Sequence, residues 1–445
     1  MIVQKLIMRN FRRYEDACFS FHQRFNVLIG NNGRGKTTIL DALSIMLNTY
    51  LLHSKIATGG TGIKNEDARF VVRNVSEQVF FEPQSDVWLK ASAYIGNEHF
   101  EWQRDKGDRG KKSKELMKLG EQNVNAVRKG MLVDLPLLLY YGTGRLWNIH
   151  RNIQTEKPGA QLDAYRYCLD PKSDQNAFEK WFRRLSYSEL QKGTKIPALK
   201  SVRDAVICCI PGASEFYYDT AEDQIMIHLE HEGLMPFNSL SDGFRNMIAM
   251  VSDIAHRASK LNPHLAENAA RETKGIVLID ELDLHLHPKW QRRVALDLQK
   301  AFPNLQFITT THSPFIIQSL KPGQVIDLEQ ETSCDCTHFA ESGVASPKPV
   351  AEFSNRSIED ITEDIMGIAI PQRSERYQKM YEVAKEYYSV LQSAQSVDSD
   401  QKEQLKQKLD ELSAPFSDNV AYHAFLEMER IAAGLGKSKI DGEDE

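Results

Sequence analysis

At 445 residues, with 41% hydrophobic and 26% charged content, the chain has the composition of an ordinary soluble protein and the length for two or more domains around a sizeable core. Its net charge of −6 gives no global basic field, so contact with nucleic acid has to come from a local patch or a partner. No apolar run reaches membrane-spanning length, the best stretch (131–141) being broken by Asp134 and Pro136, and six cysteines at this length point to a reducing cytoplasm rather than a disulfide scaffold.

The first 29 residues read as three strands, 2–8, 17–21 and 25–29, with no leader expected ahead of them. Arg9-Asn10-Phe11-Arg12-Arg13-Tyr14 lies between the first two. The third strand runs into Gly30-Asn31-Asn32-Gly33-Arg34-Gly35-Lys36-Thr37-Thr38, which is G-x-x-x-x-G-K-[ST] set between a strand and a helix, the context that a phosphate-binding loop requires. Gly30, Gly33 and Gly35 let the backbone curl until its N–H groups converge on an anion, and the helix starting near Lys36 adds its positive dipole end. Lys36 supplies a charge for the β- and γ-phosphates and Thr37 a hydroxyl for Mg²⁺, so the loop reads as an ATP site. The following helix extends to about residue 50.

Residues 51 to 135 carry a glycine loop at 59–62 and strand patterns at 70–72, 79–81, 87–95 and 98–103, read as a small antiparallel sheet beside the nucleotide core. Arg104 to Lys118 holds seven basic residues against three acidic ones. It is either a solvated loop leading into a helix or a contact for a DNA or RNA backbone.

A buried strand at 135–141 ends in Gly142-Thr143-Gly144-Arg145-Leu146-Trp147. Such a turn at the end of a core strand is a place for nucleotide sensing, or simply a tight turn whose arginine caps a helix. Helices are expected at 176–190 and 196–210, and a hairpin at 215–219 and 224–229. Then comes Leu240-Ser241-Asp242-Gly243-Phe244-Arg245, a polar helix start in which Ser241 can cap and Gly243 permits close backbone approach. The apolar strand 275–279 delivers Asp280 and Glu281 at its carboxyl end: the first acid suits Mg²⁺, the second an attacking water. Asp283 to Pro288 turns into the next helix. A further core strand, 305–311, ends at His312, whose imidazole can report a γ-phosphate.

The C-terminal third differs. Cys334-Asp335-Cys336-Thr337-His338 has no evident fourth metal ligand. Residues 336–356 read as a linker, 357–436 as a helical region for oligomer or partner docking, and 437–445 as a disordered acidic tail. A tyrosine-rich helix face over 373–391 suits either a core or a docking surface.

In this order the motifs resemble an ABC-type P-loop ATPase head of the SMC/RecF kind. The resemblance rests on Ile7 to Arg12, the loop Gly30 to Thr37, Leu240-Ser241-Asp242-Gly243 as signature motif, Ile279-Asp280-Glu281 as Walker B, Asp283 at the D-loop and His312 at the switch position. It implies an α/β fold with mixed sheets and helical insertions: a head over 1–335, its core at 1–50 and 236–330, interrupted by 51–235. It makes Arg12, Ser241, Gly243 and Asp283 nucleotide contacts, Thr37 and Asp280 the Mg²⁺ ligands, Glu281 the base and His312 the sensor. No Q-loop glutamine is assignable, and no long heptad coiled coil joins the lobes.

Tyr140 to Trp147, Leu240 to Arg245 and Asp280 to Pro288 also look like the ATPase subunit of Septu anti-phage systems, including retron-associated forms. That resemblance implies a cytoplasmic homo-oligomer of ATP-bridged heads and a companion HNH nuclease whose cleavage the nucleotide controls. The alternative is a RecF/SMC-like repair ATPase that senses DNA without a nuclease. No acidic nuclease fold is evident after His312.

Overall fold

A computed structural model describes residues 1–75, 78–107, 111–144, 160–171, 175–329 and 356–366, and scattered positions between 379 and 431. The chain divides into two compact units, 1–366 and 367–445. In the first, β1 (Ile2–Phe11) and β2 (Tyr14–Ser20) form a hairpin, and β3 (Phe25–Ile29) leads through the glycine loop into α1 (Lys36–Leu51). β4 (Phe70–Val75) and β5 (Gln78–Pro83) form a separate two-stranded ribbon. β6 (Trp88–Ile95) and β7 (Glu98–Asp105) precede α2 (Lys114–Arg128) and β8 (Leu137–Tyr141). The single small sheet expected over 70–103 is therefore divided. β6 pairs along the free edge of β1, Leu6 opposite Ala91, giving a four-stranded antiparallel sheet in the order β2-β1-β6-β7. An edge as long as β1 has a row of unpaired backbone groups to satisfy, and a second hairpin satisfies them.

Next come α3 (Gln175–Lys192), α4 (Pro197–Cys209), and the strands β9 (Ala213–Asp219), β10 (Gln224–Leu229) and β11 (Gly233–Pro236). The third strand extends the expected hairpin into a three-stranded sheet. α5 (Asp242–Leu261) and the short α6 (Ala269–Glu272) then lead to β12 (Gly275–Ile279). α7 (Pro288–Ala301), β13 (Leu305–Thr310), α8 (Pro314–Gln318), β14 (Val325–Asp327) and α9 (Ile358–Met366) complete the unit.

The core is a five-stranded sheet in the order β14-β3-β13-β12-β8, parallel at every pairing. β8 and β12 read as uninterrupted apolar runs because both faces of the sheet are covered. Each of β3, β8, β12 and β13 is buried along its full length. β8 is the sheet's edge, so the stretch 51–235 contributes strands to both large sheets. α1 touches β6 of the antiparallel sheet and β12 and β13 of the parallel one, and is buried nearly all round, as a helix apolar on every side must be. Trp102 on β7 closes against it, its indole N–H donating to the Met46 carbonyl at 3.0 Å.

A buried side chain hydrogen-bonds from the parallel sheet to the antiparallel one. Gln306 on β13 is fully buried. Its Oε1 accepts from Val3 N–H at 2.8 Å, and its Nε2 donates to the carbonyls of Val3 at 2.8 Å and His22 at 3.0 Å. A primary amide has the donor and acceptor pattern of a peptide group, so it stands in for a missing strand neighbour.

α9, expected in the C-terminal region, belongs to the first unit. Of the second unit, Tyr387 is buried with its hydroxyl donating to the Leu426 carbonyl at 3.2 Å, which is a core role for that position of the tyrosine-rich face. The cysteine pair at 334–336, residues 336–355 and the acidic tail lie outside the described residues. Among the described residues no helix is long and apolar enough to cross a membrane.

Replacing Gln306 by Leu roughly keeps its volume and leaves the buried N–H and carbonyl of Val3 without this partner. At about 1–3 kcal/mol for each such group, Gln306→Leu is expected to lower stability by about 2 kcal/mol or more, read as a fall in the urea unfolding midpoint of the whole chain.

Candidate functional site

The strand order places the site. β13 lies between β3, which feeds the glycine loop, and β12, which carries the acids, so the carboxyl ends of three strands converge on one crevice. The cleft there holds about 310 Å³. Its floor is the loop and first turn of α1, with Gly33, Gly35, Lys36, Thr37 and Thr38. Its far wall is Asp280, Glu281 and His312, and Arg12 and Asn32 lie at its rim.

The loop uses its glycines as expected. Gly30, Gly33 and Gly35 have φ of 138°, 80° and 89°, a region costly for residues with a Cβ. Gly35 has a second constraint, since a Cβ there would collide with the Arg13 and Tyr14 side chains. The Lys36 ammonium is folded back on the loop, donating to the carbonyls of Gly30 at 2.6 Å and Asn31 at 3.1 Å. Burial holds its pKa below the usual lysine range, while the carboxylates of Asp280, Glu281, Glu329 and Asp283 pull the other way.

Asp280 is gripped from both sides. Its Oδ2 accepts from the Thr37 hydroxyl at 2.9 Å and its Oδ1 from the Thr310 hydroxyl at 2.6 Å. Its backbone N–H donates to the Tyr141 carbonyl at 2.8 Å. The Thr37 hydroxyl and the Asp280 carboxylate are hard oxygen donors side by side, a pair that fits Mg²⁺ completed by phosphate and water oxygens. Glu281 follows in a left-handed conformation, φ 50°, which a non-glycine residue holds only where its surroundings enforce it. The enforcement is visible: Glu281 N–H donates to the Thr310 hydroxyl at 2.7 Å, and its carbonyl accepts from Leu284 N–H at 3.1 Å. The tight turn aims the carboxylate into the cleft instead of along the strand.

Thr310 is thus a site residue that the sequence reading passed over, although it lies within the predicted strand two residues before the histidine. Arg13 also lines the cleft and was overlooked beside Arg12. Its guanidinium donates to the Gly33 carbonyl.

Other expected residues have structural partners. Arg12 pairs with Asp41 of α1 and with Asp67. Asp41 also accepts from the Tyr140 hydroxyl at 2.8 Å. Arg12 therefore clamps the β1–β2 turn to α1 while facing the cleft. Asn31 and Arg34 turn toward Glu329, away from the cleft lining. Asp283 accepts from the Thr311 hydroxyl and from His312 N–H, tying the turn after β12 to the turn after β13. Ser241 occupies the N-cap of α5 without its side chain closing the cap. Gly243 is buried, and a Cβ on it would meet the His285 carbonyl. Neither Ser241 nor Gly243 lies in the cleft lining of its own chain. Arg145 is outside the described residues. In the basic stretch, Lys112 pairs with Asp105 at 2.9 Å.

Two family descriptions match this chain: "AAA domain, putative AbiEii toxin, Type IV TA system" over residues 96–318, and "AAA ATPase domain" over residues 1–120. The chain is 25% identical over 382 residues to the Retron Vc95 probable ATPase of Vibrio cholerae serotype O1 biovar El Tor, spanning 72% of this chain and 73% of that one. It is 21% identical over 387 residues to the Septu protein PtuA of Bacillus thuringiensis, spanning 83% and 85%. Among solved structures, the SMC head domain from Thermotoga maritima aligns at a TM-score of 0.40 and 14% identity, over 72% of this chain and 93% of that chain. The resemblance to Septu and retron ATPases read from the motifs is borne out by these relatives.

Thr310→Val removes the hydroxyl that serves Asp280 and Glu281 at once while keeping the strand's shape. ATP turnover is expected to fall about 10- to 100-fold, the cost of misplacing reacting groups by a fraction of an ångström to one ångström. Steady-state phosphate release, with KM measured beside kcat, checks it.

Proposed function

The chain belongs to the AAA-domain family and is an ATPase, and from that premise we propose that it is the regulatory ATPase subunit of a cytoplasmic anti-phage defence complex, gating a separate HNH-type nuclease. The observation that carries the chemistry is the convergence of Lys36, Thr37, Asp280, Thr310 and Glu281 at one crevice. The defence role is supported by relatives that carry retron and Septu names.

In this reading the nucleotide and Mg²⁺ supply the scissile phosphoanhydride and its charge compensation. The protein supplies the rest. Lys36 leaves its two loop carbonyls to meet the phosphates. Thr37 and Asp280 hold the cation. Glu281, aimed by its left-handed turn, orients a water and takes its proton. His312 reads the terminal phosphate, and its backbone bond to Asp283 connects it with the turn after β12.

The signature residues act on a second copy. Ser241 and the N-terminus of α5 lie outside the lining of their own cleft, and a helix start without a side-chain cap offers N–H groups to an anion. Two heads arranged head to tail would place each helix start on the other's phosphates. ATP then acts as a bridge that hydrolysis removes, which is how a local charge event becomes a change of assembly. DNA or phage nucleic acid reaches the complex through the nuclease or through Arg104–Lys118.

Glu281→Gln is expected to cut turnover about 100-fold or more and to accumulate an ATP-bound dimer on size exclusion, whereas Lys36→Ala abolishes tight ATP binding. Turnover at the wild-type rate in Glu281→Gln overturns the base assignment. Expression with the native flanking genes, followed by pull-down and a DNA-cleavage assay with and without ATP, tests the gating. A co-purifying nuclease whose cutting changes with ATP is the expected result. A lone chain that hydrolyses ATP faster on DNA and cuts nothing overturns it in favour of a DNA-sensing repair ATPase.

A further inference from the structure

The glycine loop has two kinds of hold on it. Its second half is held from the β1–β2 turn, where Arg13 donates to the Gly33 carbonyl and the Tyr14 hydroxyl to the Arg34 carbonyl at 2.8 Å. Among the described residues two side chains grip its first half. One is Lys36, whose ammonium donates to the carbonyls of Gly30 and Asn31. The other is Glu329, in the turn after β14. There Oε1 accepts from the Asn31 N–H at 2.9 Å, and Oε2 pairs with the Arg34 guanidinium at 2.6 Å. That turn is itself fixed to the sheet, with Leu328 N–H donating to the Ile29 carbonyl at 3.0 Å and the Asp327 carboxylate accepting from Glu329 N–H at 2.9 Å.

The two grips on the first half differ in permanence. An ammonium has three donors, and two of those of Lys36 are spent on the loop's own carbonyls. To meet a phosphate it must release them. At that moment the half of the loop containing Gly30, the most extreme of its three positive φ values, keeps the Glu329 grip alone of the two. We propose that Glu329 is a positioning residue for nucleotide binding: it holds the Asn31 N–H and the Arg34 side chain together, so the loop keeps its shape when Lys36 swings to the phosphates. Glu329 touches no phosphate in this role. A lone carboxylate beside the loop would repel a polyanion, and Arg34 offsets that charge.

The Asn31 N–H above all, with burial opposing it and Arg34 adding to it, holds the Glu329 carboxyl below the usual glutamate range. The charged form of the grip is therefore in place at neutral pH, and its ion pair with Arg34 is lost as pH falls through this lowered value, while an oxygen remains for the Asn31 N–H.

The proposal rests on the ATP-site reading, and its test separates the two. MgATP binding by titration calorimetry and steady-state turnover are measured on the full chain as wild type, Glu329→Ala, Glu329→Gln and Arg34→Ala. Glu329→Ala is expected to weaken MgATP binding about tenfold, the effect of one charge-assisted hydrogen bond, with kcat within about twofold and the melting temperature of the nucleotide-free protein little changed. Glu329→Gln keeps an oxygen for the Asn31 N–H and restores most of the affinity, and Arg34→Ala falls between them. Wild-type affinity in Glu329→Ala, a loss confined to kcat, or a Glu329→Gln as weak as Glu329→Ala overturns the proposal while the ATP reading stands. A wild-type chain that binds no MgATP overturns both.

Discussion

A buried carboxylate held from three directions is the constraint on which the cleft depends. Asp280 leaves the end of β12 with one oxygen on Thr37 of α1, the other on Thr310 of β13, and its backbone N–H on β8. It is 6% exposed. A carboxylate so far from water is tolerable only when its lone pairs are met. Meeting them locks the first turn of α1 to the two strands that lead to the acids and to His312. The strand order makes this possible. With β13 between β3 and β12, the terminal residue of β13 stands between the phosphate loop and the acidic pair, and a threonine there can reach both.

The sheets must be joined for that geometry to persist. β1, the strand that meets Gln306, cannot pair with the parallel sheet, because it already has neighbours on both edges. Gln306 supplies the join by acting as a peptide group on the core side of β13, three residues before Thr309 and four before Thr310. Asn26 acts similarly on β3, donating to the carbonyls of His22 and Phe307. Two amides inside an otherwise apolar layer thus fix the strands that end at the cleft. A hydrophobic residue of the same size would fill the space and leave the backbone groups unmet.

Much of the fold was legible because its signals are local. The glycine loop, the strand 25–29, the strand ending at Asp280 and the proline opening α7 each carry their reason within a few residues. What escaped depends on partners far along the chain. Nothing near 88–95 says that this strand extends β1 instead of founding its own sheet. Thr310 and Glu329 are ordinary polar residues until the sheet order brings them to Asp280 and Asn31. The same distance explains two partial readings. Arg12 was assigned to the nucleotide through the resemblance of the opening strand, and it lines the cleft, but Asp41 and Asp67 also hold its guanidinium. Gly243 was assigned to phosphate approach, and its own chain already uses the missing side chain for the carbonyl of His285.

That last contact has a wider meaning for α5. The helix meets the turn after β12 at two levels, Gly243 against the His285 carbonyl and the Asn246 amide donating to the Leu284 carbonyl at 3.1 Å. Two turns further on, Asp253 accepts from the Tyr141 hydroxyl at 2.8 Å and is paired with Arg257, which in turn donates to the carbonyls of Ala164 and Arg166. Tyr141 is the residue whose carbonyl receives the Asp280 N–H. So α5 is bound both to the turn that carries Asp283 and to the strand beside Asp280, by buried bonds that are expensive to break singly. His312 is tied to the same turn through Asp283. Hydrogen bonds and close contacts therefore run from the turn that carries Asp283 and the strand beside Asp280 to the first turns of α5, so the groups that shape the cleft also fix where the Ser241 end of that helix stands.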